Sequence, residues 1–63
     1  MCLSTAFMEG VNGAENEKIC EFVSEVKVDG DKIVLVDIMG KEIEVLGSIK
    51  SMDFVSSKIR IGA

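Results

Sequence analysis

Histidine, proline, tryptophan and tyrosine are all missing from these 63 residues. The lack of histidine removes both the commonest metal ligand and the commonest general base. Three phenylalanines, with no other aromatic, make a poor stacking surface for single-stranded RNA. Basic charge is also scarce: seven lysines and arginines face eleven carboxylates, for a net charge of −4. That balance disfavours nucleic acid and anionic membrane, because both are bound through lysine and arginine. Only two cysteines occur, too few for a disulfide framework. No G-x-S-x-G, P-loop or H-E-x-x-H pattern occurs, and an enzyme is not expected. The start MCLSTAF has no basic segment and no long apolar run. It predicts neither a secretory signal nor a membrane span, and places the chain in the cytoplasm, where thiols stay reduced.

What is present is apolar. Hydrophobic residues make up 48% of the chain and the mean hydropathy is +0.34. Residues 1–63 make one small domain, which buries only about 60% of its unfolded surface. Domains of this size usually need disulfides, a metal or a partner subunit. With disulfides excluded, a second copy or a metal is the expected stabiliser, and part of the apolar surface is expected in a subunit interface.

The residues predict an all-β chain: a small antiparallel barrel or curled sheet of five to six short strands. Cys2 to Met8 reads as the first strand. Glu9 to Asn16, with two glycines and two asparagines, reads as a loop. Lys18 to Val28 is ambiguous. Ile19, Phe22, Val23 and Val26 fit helical spacing, while Val26-Lys27-Val28 alternates as a strand. A strand is favoured here, with room for one helical turn near 22–25. Asp29-Gly30 predicts a tight hairpin turn. The β-branched run Lys32 to Val36 returns from it, and Met39-Gly40 turns into the alternating Lys41 to Val45. After Gly47, Ile49 to Phe54 and Lys58 to Ile61 form a last hairpin around Val55-Ser56-Ser57. Such short sheet edges invite pairing with a second copy.

Cys2 is the residue with the clearest chemical potential. Removal of Met1 would leave a free α-amine beside the thiol, and the two can close a five-membered chelate on one metal. Nitrogen and thiolate donors suit Ni(II) or Cu(II), and thiolates also suit Zn(II). One chelate has too few donors to close a site, whereas two copies across a dimer axis have enough. On position alone, a small hydrophobe in a strand is the more common role for such a cysteine. Cys20, between Ile19 and Phe22, reads as buried filler. Asp29-Gly30-Asp31 lacks the twelve-residue ligand spread of a calcium loop and reads as a turn. The glutamates at 15, 17, 21 and 25 read as a solvated face.

Met1-Cys2, the run Val26 to Leu35, the run Asp37 to Val45 and the run Ile49 to Val55 come in an order that resembles the CooT family of small nickel-binding proteins. The resemblance covers most of the chain, with Glu9 to Asn16 the least comparable part. It implies a cytoplasmic homodimer of small β fold. It also implies Ni(II) held at the dimer interface through Cys2 of each chain, and a role in nickel handling for carbon monoxide dehydrogenase. Some relatives carry an RNA-binding label instead. An RNA-binding barrel would need Lys27, Lys32, Lys41, Lys50, Lys58 and Arg60 on one face. A structural adaptor pairing through a sheet edge is the third reading.

Overall fold

The structure, a computed structural model, describes residues 3–9 and 17–62. Six strands run β1 (Ser4–Met8), β2 (Glu17–Asp29), β3 (Lys32–Asp37), β4 (Glu42–Leu46), β5 (Ser48–Asp53) and β6 (Lys58–Gly62). They form one sheet in the order β4-β3-β2-β1-β6-β5. All neighbours are antiparallel except β1 and β6, which run parallel with Ala6 opposite Ile59 and Met8 opposite Ile61. The sheet is curled and open, as the composition and turn spacing imply, with β4 and β5 as its edges. The loop expected over Glu9 to Asn16 lies, beyond Glu9, outside the described residues.

The predicted helical turn near 22–25 does not form. β2 runs straight through it as a bulged strand, with Phe22 at φ +56°. Its pairing with β1 shifts register twice between Met8 and Ser4, and its pairing with β3 shifts between Val23 and Glu25. Each shift gives β2 an extra residue. Ser24 sits in the last bulge and its hydroxyl donates to the carbonyls of Val36 and Asp37, both at 3.2 Å. Bulges bend a strand and increase its twist, so they put the curl into the middle of the sheet.

The β2–β3 turn is centred on Gly30-Asp31, one residue later than the sequence implies, with Asp29 opposite Lys32. Gly30 at φ +61° takes the first turn position, where a type II′ hairpin needs glycine.

The core lines the concave face: Ala6 of β1, Cys20 and Val23 of β2, Ile33 and Leu35 of β3, Ile59 and Ile61 of β6. Ile43, Val45 and Ile49 close over it from the edges. Gly47 joins the two edges. Its N–H donates to the Asp31 carbonyl at 2.7 Å, and a Cβ there would stand 2.5 Å from the Gly62 carbonyl oxygen. No side chain fits this approach between the bottom of β4 and the top of β6, so glycine permits the curl. On the convex side Lys27 and Lys32 reach Glu42 and Glu44, each at 3.8 Å. These pairs are exposed and contribute little.

Candidate metal centre

Cys2, the metal ligand expected from the sequence, lies outside the described residues. Its covalent neighbour Leu3 is half-buried, and Ser4 begins β1 opposite Val23. The start of β1 is central in the sheet, between β2 and β6. On its other side Thr5 donates its N–H to the Ser57 carbonyl at 2.9 Å. The chain therefore enters the fold at one defined end of the sheet, tied to both neighbouring strands.

Two turns flank this end. In the β3–β4 turn, Asp37 Oδ1 accepts the N–H groups of Met39 and Lys41, both at 2.9 Å, and Ile38 N–H donates to the Phe22 carbonyl at 3.0 Å. In the β5–β6 turn, Asp53 Oδ1 accepts from Val55 N–H at 2.9 Å and Ser56 N–H at 3.1 Å. The backbone bond from Ser56 is the first cause holding the Asp53 carboxyl below its ordinary range, followed by the Ser56 side chain and the Val55 N–H. The aspartates satisfy the turn backbones locally. The apolar side chains of the same turns are left in solvent: Ile38, Met39 at 87% exposed, Phe54 at 74% and Val55 at 99%. Phe22, at the bulge beside Val23, joins them. Five large exposed apolar residues thus belong to the bulge and the two turns next to the start of β1, the apolar rim of this end.

Cys20 is where the sequence suggests, in the core opposite Ala6. Burial is the first cause raising its thiol pKa, with Asp37 and Glu21 adding to it and Lys41 opposing. A thiol kept protonated and enclosed is a poor ligand. Among the described residues no three side chains of the metal-binding types converge. The six cations that an RNA-binding face would need are divided. Lys27 and Lys32 face glutamates on β4, Lys41 follows a turn, and Lys50, Lys58 and Arg60 stand on β5 and β6. No helix among the described residues is long and apolar enough to cross a membrane. The apolar rim escaped the sequence reading because its members lie far apart in the chain. Aspartate immediately before an apolar pair, at Asp37 and Asp53, was the available signal.

The fold and this end define a class: a single-sheet β domain whose first strand enters through an apolar rim. A family model described as "CO dehydrogenase accessory protein CooT" matches residues 1–62, and the chain belongs to the CooT family. The crystal structure of a protein described as CooT from Carboxydothermus hydrogenoformans has the same fold, with a TM-score of 0.84 at 26% identity over 97% of this chain and 95% of that one. No curated protein matches the sequence.

Proposed function

We propose that two copies of this chain bind one Ni(II) as cargo through Cys2 of each, and that the pair serves a nickel enzyme such as carbon monoxide dehydrogenase. The observation that carries this reading is the apolar rim at the start of β1. Phe22 precedes the residue opposite Ser4, Ile38 donates to the Phe22 carbonyl, and Phe54 and Val55 stand in the turn whose Ser57 carbonyl accepts from Thr5; all five apolar residues, with Met39, are exposed. Packing this rim against its own copy would bring two N-terminal segments to one axis. The membership of the chain in a family described as carbon monoxide dehydrogenase accessory proteins supports that enzyme as the client.

The donor chemistry fits. The chain has no histidine, and its other cysteine is enclosed in the core. With Cys20 enclosed, Cys2 is the other thiol in the sequence, and the exposed Met39 and Met52 offer only neutral thioethers. Binding releases protons and weakens in acid, because the thiolate and amine must be deprotonated.

The test is titration with Ni(II) while following thiolate-to-nickel charge-transfer absorption. We expect one nickel per two chains and loss of the band in Cys2→Ala. Equal binding by Cys2→Ala would end the proposal. Intact mass adds a second reading: if Met1 is retained, the amine of Cys2 is blocked and the chelate requires other donors.

A further inference from the structure

The convex face over β2, β1, β6 and β5 carries a different chemistry from the rest of the molecule. Opposed residues in a sheet share a face, and the register aligns Lys18, Phe7, Arg60 and Ser51 in one row across the four strands. Thr5 and Lys58 form part of the next row. Lys58 Nζ stands 6.0 Å from the centre of the Phe7 ring, at the outer limit of a cation–π contact. Lys50 is the extra residue where the β5–β6 register shifts, and its side chain lies along Gly62 next to the Glu9 carboxylate.

Four of the seven cations in the sequence are therefore on this face: Lys18, Lys50, Lys58 and Arg60. Among the described residues three carboxylates share it. Glu21 is occupied by Lys18 at 2.7 Å, and Asp53 is held by the turn backbone. Glu9 lies at the rim beside Gly62. Among the described residues Lys50, Lys58 and Arg60 make no ion pair. The remaining three cations, Lys27, Lys32 and Lys41, share the rest of the described chain with seven carboxylates: Glu17, Glu25, Asp29, Asp31, Asp37, Glu42 and Glu44. Charge is thus polarised on a chain that is acidic as a whole.

This face adjoins β5, whose outer edge has no neighbour in the sheet. A strand added there would lie about 4.8 Å from β5, with alternate side chains on the basic face. Its face-side residues would come within reach of Arg60 and Lys58, two strands away, and of Lys50 on β5 itself.

We propose that β5 and the Lys50–Lys58–Arg60 face form a docking edge for an extended, carboxylate-rich segment of a partner protein. The free edge supplies main-chain hydrogen bonds, and Arg60 supplies a planar fork for a carboxylate. Three observations favour a peptide over single-stranded RNA. The ring on this face is single and half-buried, the cations are few, and a long polyphosphate would also meet the acidic remainder of the chain.

The test uses the full chain and a fluorescently labelled peptide of alternating glutamate and threonine, followed by anisotropy at low and moderate salt. We expect saturable binding that weakens with salt, and a fall of about tenfold in affinity in Arg60→Gln, about 1.4 kcal/mol. Lys58→Gln is expected to weaken binding similarly, with the thermal midpoint of both variants unchanged. A control peptide with glutamine for glutamate should not bind. The proposal is overturned if both variants bind as wild type does, if the glutamine peptide binds equally, or if labelled oligouridylate binds more tightly than the acidic peptide. Nickel binding by Cys2 is read separately, by charge-transfer absorption, so failure of one proposal leaves the other standing.

Discussion

If two copies pair through the rim as proposed, replacing Phe54 by aspartate should separate them without unfolding either. Phe54 is 74% exposed in the isolated chain, and its turn is held by Asp53 and not by its ring. The substitution therefore removes almost nothing from the core. Fully burying a phenylalanine contributes about 1.5–3 kcal/mol. About three-quarters of that, roughly 1–2 kcal/mol, is still available to an interface. A two-fold axis uses the residue twice, so the dimer should lose about 2–4 kcal/mol, or roughly 30- to 700-fold in its dissociation constant. Desolvating two aspartates would add to the loss. Sedimentation equilibrium of wild type and Phe54→Asp, each with and without Ni(II), reads this directly. Circular dichroism and the thermal midpoint at low concentration establish that the monomer is still folded. If Phe54→Asp dimerises as tightly as wild type, the rim around the start of β1 is not the contact, and two Cys2 residues do not meet there.

Three further outcomes follow from the packing. Gly47→Ala should destabilise the chain by about 2–4 kcal/mol in urea unfolding, because its Cβ would collide with the Gly62 carbonyl and φ there is +148°; an unchanged midpoint would show that the two edges move apart freely. Leu35→Ala, at a fully buried position, should cost about 2–5 kcal/mol against the roughly 3–9 kcal/mol expected for a chain of this length, leaving much of it unfolded at room temperature. Cys20 gives a pH dependence. Its folded pKa is raised above the ordinary 9.0, so in that range the unfolded chain gives up a proton that the folded chain keeps. Its contribution is constant below about pH 9 and is lost as pH rises beyond it. Urea midpoints from pH 7 to 10 should fall more steeply in wild type than in Cys20→Ala, and parallel curves would contradict this.

Most of the strands were legible because turns and alternation coincide. Lys32 to Val36, Lys41 to Val45 and the final hairpin have polar and apolar positions two apart, with glycine or aspartate at their ends. The helical signal in β2 has a definite cause. Its inward residues are Cys20, Val23 and Val26, three apart, because each bulge adds a residue to the period of two. A strand bent by successive bulges thus imitates the spacing of a helix. The parallel pairing of β1 and β6 was equally hidden, since it joins the two ends of the described chain and no local pattern encodes it.

The end of the sheet at which β1 starts shows why the site was harder to read than the sheet. Phe22, Ile38-Met39 and Phe54-Val55 look in the sequence like ordinary core residues interrupted by turns. They become a rim only because the bulge at Phe22 bends β2 and because Asp37 and Asp53 bind the turn backbones from below. The same bends place Cys20 inside, which removes the second thiol from competition. Among the described residues no group of three metal-binding side chains converges, so a metal held through Cys2 would need donors from another molecule. The small size of the domain points the same way. So thin a core gains stability from covering its exposed phenylalanines, and metal loading that depends on the second copy would then couple cargo binding to assembly. Nickel should accordingly tighten the dimer of wild type and leave that of Cys2→Ala unchanged, an effect that sedimentation at fixed protein concentration and increasing Ni(II) would show or refute.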